Sequence, residues 1–64
     1  MMVGDVINGI RAKHKDSQAA LGKILNLSQR SVSLKLRGIW KFNEEELKKL
    51  SEHYKVPVSI FFED

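Results

Sequence analysis

The sequence predicts an all-α fold, one domain of five helices spanning residues 1–64. Two observations carry this. Apolar residues recur three and four positions apart along most of the chain, the spacing that lines one face of a helix. Side chains that cap helix N-termini, Ser17, Ser28 and Asn43, stand just ahead of three of these stretches. A chain of this size buries only about 60% of the surface its unfolded form exposes, so well-formed helices or a partner must support it.

The first helix is expected over residues 3–14, with Val3, Val6, Ile7 and Ile10 on its buried face. It frays into Lys13, His14 and Lys15, which read either as solvated cations or as phosphate contacts. Asp16 suits the positive end of the next helix and can share its capping with Ser17. That second helix carries Leu21, Ile24 and Leu25 as its apolar stripe, and Gly22 lets a neighbouring backbone approach closely. Asn26 tolerates the left-handed conformation that ends helices, Leu27 tucks back, and Ser28 caps a third helix over about 29–37. A helix, a short turn and a helix is the helix-turn-helix of DNA-binding proteins, here at helices 2 and 3.

The faces of helix 3 separate when residues are counted at about 100° each. Val32 and Leu36 fall on the buried side. Arg30, Leu34 and Arg37 project the opposite way, Ser31 and Ser33 lie on the flanks, and Gln29 stands at the exposed tip. Gln pairs with adenine N6 and N7, Arg with guanine O6 and N7, and an outward leucine reads a thymine methyl or touches a protein partner.

After Gly38, the run Ile39-Trp40-Lys41-Phe42 is unusually apolar for a loop. Phe42 precedes the cap Asn43 and can staple onto Leu47. Trp40 has two readings, a lid on the core or a partly exposed indole against the DNA backbone, and Lys41 beside it is a natural phosphate contact. Asn43 and Glu46 form a capping box, and Glu44, Glu45 and Glu46 suit the positive end of the helix dipole, so capping explains these acids without a metal or acid-base site. Leu47, Leu50 and Tyr54 continue the apolar face to about Lys55. Pro57 then starts a fifth helix through Phe62, with residues 58, 61 and 62 on one face and Ile60 turned aside. It closes the core over Leu47 and Leu50, or forms a dimer contact if it is exposed.

The chain resembles the Cro/C1-type (lambda/434 repressor-like, XRE) helix-turn-helix family along nearly its whole length. The resemblance rests on Val3, Gly4, Ile7, Ile10 and Arg11, on Ser17-Gln18, on Leu21, Leu25 and Leu27, and on Ser28 and Gly38. It implies a compact lambda-repressor-like DNA-binding domain, of the kind found in small phage and mobile-element regulators. Gln29, Arg30, Ser31 and Leu34 would read bases. Gln18 would hold a phosphate, as would Arg11, left free because the usual acidic partner is replaced by Lys35-Leu36; from the residues themselves, Ser33, Lys35, Arg37, Trp40 and Lys41 are the further expected phosphate contacts. Gly22 stands where the family usually has Ala, which implies a helix looser by up to about 1 kcal/mol.

Charge agrees with this reading. The net charge is +3. Residues 1–43 hold eight Lys and Arg against two Asp, a balance of +6, and residues 44–64 hold three Lys against six acids, a balance of −3. A polyanion is drawn to the first part. Without cysteine there is no disulfide or thiolate metal site, and no apolar run suggests a signal peptide or membrane span, so a cytoplasmic protein without cofactors is expected. His14 and His53 have no neighbouring nucleophile or ligand cluster in the sequence, so no enzymatic activity is expected. The function expected is a Cro-like repressor on an operator in double-stranded DNA, with a weak homodimer formed only on DNA as an expected partner. The alternatives are a small anti-repressor or antitoxin-like module that docks on a partner regulator, and a nonspecific architectural protein, for which the basic face is narrow.

Overall fold

The computed structural model describes residues 2–62. Within them lie four α-helices, α1 (Val3–Lys13), α2 (Gln18–Leu25), α3 (Gln29–Leu36) and α4 (Glu44–Tyr54), then a 3-10 helix over Val58–Phe62, and no strand among the described residues. Ile7, Leu21, Leu25, Val32, Leu36, Leu47, Leu50, Tyr54 and Phe61 form one core drawn from all five elements. The apolar stripes read from spacing are therefore the faces that are buried.

The expected N-terminal caps are present. Ser17 Oγ accepts from the Ala20 N–H, Ser28 Oγ from the Ser31 N–H, and Asn43 and Glu46 exchange both bonds of a capping box. The C-terminal ends were less legible. All four α-helices close on a left-handed residue: Lys15 (φ 60°), Asn26 (φ 58°), Gly38 (φ 80°) and Lys55 (φ 57°). Asn and Gly announce such a position; lysine does not. Instead of fraying, α1 ends in a Schellman turn, with Lys15 N–H on Ala12 O and Asp16 N–H on Arg11 O, at 3.0 and 2.9 Å.

Two glycines set how closely the helices approach. A Cβ on Gly4 would collide with the Leu36 carbonyl, which lets α1 lie directly on the backbone end of α3. At Gly22 a Cβ would stand 2.6 Å from the Leu27 carbonyl oxygen. Gly22 is thus required by the turn that joins α2 to α3, and the loosening implied by its intrinsic propensity is offset by the close packing it permits.

The fifth element differs from expectation. It is a 3-10 helix of five residues rather than an α-helix. At about 120° per residue, rather than 100°, Phe62 is turned further from Phe61 than an α-helix would place it. Phe61 is buried at 1% exposure, Ile60 is partly buried on the core rather than turned aside, and Val58 and Phe62 are exposed.

Candidate nucleic-acid interface

The interface is built from the α2–α3 turn upward. Asn26 and Leu27 both donate their N–H groups to the Gly22 carbonyl, and Ser28 then caps α3, so three residues reverse the chain between the two helices. Val32 is fully buried and Leu36 nearly so, which fixes the rotation of α3 about its axis. With that side inward, a shallow depression opens between α3 and the start of α2. Gln18, Gln29, Arg30, Ser33, Leu34 and Arg37 line it. Gln29, Arg30 and Arg37 are exposed, while Gln18, Ser33 and Leu34 are half-buried at its floor. Six of the residues singled out from sequence thus meet in one place. Two guanidiniums and two carboxamides face it with no carboxylate, so it presents donors and positive charge to a polyanion.

The other sequence-derived contacts lie elsewhere. Ser31 belongs to the N-cap of α3, its hydroxyl accepting from Ser28 Oγ at 3.0 Å. Arg11 is not free for a phosphate, as its guanidinium binds Asn8 Oδ1 and donates to the Asp16 carbonyl at 2.9 Å, bracing the end of α1. Lys35 is also committed within the protein. Its Nζ stands 2.6 and 2.8 Å from the two carboxylate oxygens of Glu46, contacts the Lys41 carbonyl at 3.3 Å, and lies over the Phe42 ring. The pair is largely shielded, with side chains 12% and 8% exposed, and it joins the end of α3 to the start of α4. Lys35, expected as a phosphate contact at the cationic end of α3, is thus held inside the protein by Glu46.

Trp40 and Lys41 stand on a second surface. They border an apolar groove of about 440 Å³ that Met2, Gly38, Phe42 and Phe62 also line. Trp40 is 50% exposed, so it is neither a buried lid nor a member of the cationic depression.

A further cluster braces the α1–α2 turn from behind. Tyr54 donates its phenol to Asp16 Oδ2 at 2.8 Å, and the His14 and His53 rings contact the Tyr54 ring at centroid separations of 4.8 and 4.9 Å. Asp16 thus serves Tyr54 while Ser17 alone caps α2. Burial, and then the hydrogen bond and charge of Asp16, push the Tyr54 phenol above its ordinary range. No sequence signal joins residues 16 and 54, since the pairing arises only when α4 crosses the turn.

Among the described residues no group of His, Cys, Asp or Glu is placed to hold a metal, and no helix is long and apolar enough to cross a membrane. The chain matches the family profile of the BetR domain over residues 2–64. No curated protein and no solved structure gave a match. The four packed α-helices and the profile covering nearly every residue agree: the chain belongs to the BetR domain family, small helical domains of the helix-turn-helix type in transcription regulators, with a DNA-binding regulatory role.

Proposed function

We propose that the protein is a sequence-specific repressor of the Cro type, in which α2 and α3 act as the helix-turn-helix and α3 enters the major groove. The observation that carries this reading is the depression in which Gln18, Gln29, Arg30, Ser33, Leu34 and Arg37 converge without an opposing carboxylate. Gln29 and Arg30, at the exposed start of α3, read base edges, with Leu34 against a thymine methyl. Gln18, Ser33 and Arg37 hold the flanking phosphates and set the register. Repression follows from occlusion, because a domain seated in the groove over a promoter excludes polymerase.

Selection of bound sequences from a randomised duplex pool, followed by titration of the winner and a scrambled duplex, tests the reading. A preference of about 10³-fold or more is expected. Arg30→Ala should lower the affinity for the winner and narrow its advantage over the scrambled duplex. Arg37→Ala should weaken both duplexes alike and reduce the slope of log affinity against log salt by about one phosphate's worth, close to 0.9. A pool that yields no enriched motif overturns the proposal and favours docking of α3 on another protein.

A further inference from the structure

The groove beside Trp40 is a second concave surface, and its lining shares no residue with the depression on α3. Its volume of about 440 Å³ lies within the range of small-molecule sites, roughly 300–1,000 Å³. Of its lining residues, Phe61 and Leu47 are 1% and 4% exposed and belong to the core. Met2, Trp40 and Phe62 line it as well and are 61%, 50% and 62% exposed. An apolar body seated there rests on side chains that are already packed and covers others that face water, so apolar surface is removed without rearranging the core.

Charge defines the rest of the occupant. The titratable residues of the lining are Lys35 and Lys41, and no lining residue is acidic. Lys35 is already neutralised. Its Nζ contacts both Glu46 oxygens, at 2.6 and 2.8 Å, and the Lys41 carbonyl at 3.3 Å, which accounts for the three N–H groups of an ammonium. Lys41 is exposed, and among the described residues its ammonium is in no ion pair. The groove thus joins one available cation to an aromatic and thioether lining. A nucleic acid, charged at every phosphate, is matched by a row of cations rather than one. A second copy of the chain would bring another Lys41 to this surface and no lining carboxylate to meet it.

We propose that the groove is a binding site for a small amphiphilic anion, an aromatic carboxylate of one or two rings. Its ring lies against Met2, Trp40 and Phe62, and its carboxylate pairs with Lys41. The volume is that of about fifteen molecules of liquid water, room enough for a bicyclic acid. Aromatic side chains and a thioether favour a ring over an alkyl chain, through offset or edge-to-face stacking and sulfur contacts. This site goes beyond the DNA-binding reading and does not depend on it.

Three probes of one shape test it on the full chain: 2-naphthylacetate, the neutral 2-naphthylacetamide and the cationic 2-(2-naphthyl)ethylamine. Trp40 is the one tryptophan, so its indole N–H gives a single resonance in a nitrogen-labelled sample. The acid should shift that resonance saturably, with a dissociation constant of about 1 mM or tighter for a ligand of this size. It should bind about fivefold tighter than the amine, with the amide between, and that spread should shrink in about 1 M salt. Lys41→Gln should bring the three probes within about twofold of one another. Phe62→Ala should weaken all three by about threefold or more. Both side chains are exposed, and circular dichroism checks that the variants are folded.

Four results overturn the proposal. The first is an indole resonance that stays fixed in about 10 mM acid. The second is equal affinity for acid and amine. The third is a charge preference that survives Lys41→Gln or an affinity indifferent to Phe62→Ala. The fourth is a resonance that moves with protein concentration alone while the mass rises, which assigns the groove to a second copy. A duplex selection that yields no motif removes the DNA reading and changes none of these outcomes.

Discussion

Lys35 shows why a place at the cationic end of a helix does not determine a residue's role. Counting from the sequence puts it near the cationic end of α3, and a phosphate contact follows naturally. In the fold it neutralises Glu46, which also closes the capping box of α4 by accepting the Asn43 N–H at 2.9 Å. A shielded carboxylate with two such partners is sensitive to the loss of either. Glu46→Gln should cost about 1–3 kcal/mol, because Lys35 is left without a counter-charge. Lys35→Met should cost a similar amount for the opposite reason. The double variant should be less destabilised than the sum of the two by at least about 1 kcal/mol, measured by urea denaturation as a double-mutant cycle.

Tyr54 makes a comparable point with a pH signature. Its phenol is held protonated by burial and by Asp16, so its folded pKa lies above the unfolded value near 10. A raised pKa means that the stabilisation is complete below the unfolded value and is lost as pH climbs above it toward the folded one. Stability should therefore decline above about pH 10. Tyr54→Phe should lose about 1–2 kcal/mol at neutral pH and show a smaller decline on that alkaline limb, as read from denaturation midpoints at pH 8 and 10.5.

At the scale of elements, helix starts were legible and helix ends only half so. Ser17, Ser28 and Asn43 are the residue types a cap requires, and each caps as expected. Asn26 and Gly38 likewise stand where a left-handed residue is needed. Lys15 and Lys55 occupy the same conformation without the residue type that signals it, because the Schellman-type bonds and the packing beyond each end outweigh the local cost. Lys55→Gly and Lys15→Gly should each raise stability by up to about 1 kcal/mol, measurable as an increase in Tm of several degrees. The reverse change at Gly22, to Ala, should destabilise despite its better helix propensity, through the Leu27 carbonyl. The last element was misread for a related reason: Pro57 correctly marks a start, but the turn that follows is too short for sequence spacing to distinguish 100° from 120° per residue.

For the whole molecule, the most informative sequence feature was the asymmetry of charge, and its structural counterpart is narrower than the sequence implies. Of the cations before residue 44, Arg11 and Lys35 are occupied internally, and Lys41 borders the apolar groove. Arg30 and Arg37 are what remains at the depression on α3. The six residues there were readable because they follow from one helix register and its neighbouring cap. The groove was not, because it joins Met2, Trp40 and Phe62 from three separated parts of the chain. The α1–α3 contact that brings Met2 there depends on Gly4. Gly4→Ala should cost about 1–3 kcal/mol or more in denaturation experiments, since backbone rather than a movable side chain blocks the added methyl.

The end of α3 has one more consequence. The Leu34 carbonyl accepts N–H groups from both Ile39 and Trp40, at 3.0 and 3.3 Å, with Gly38 turning the chain between. The Ile39–Trp40 backbone is therefore a stiff continuation of the helix that carries Arg30. Rigid attachment also makes it a lever: a small rotation of α3 in its seat moves Trp40 in step. Substitutions that disturb this turn, such as a residue with a side chain at Gly38, should therefore be felt along α3, in the orientation of Gln29 and Arg30 at its other end.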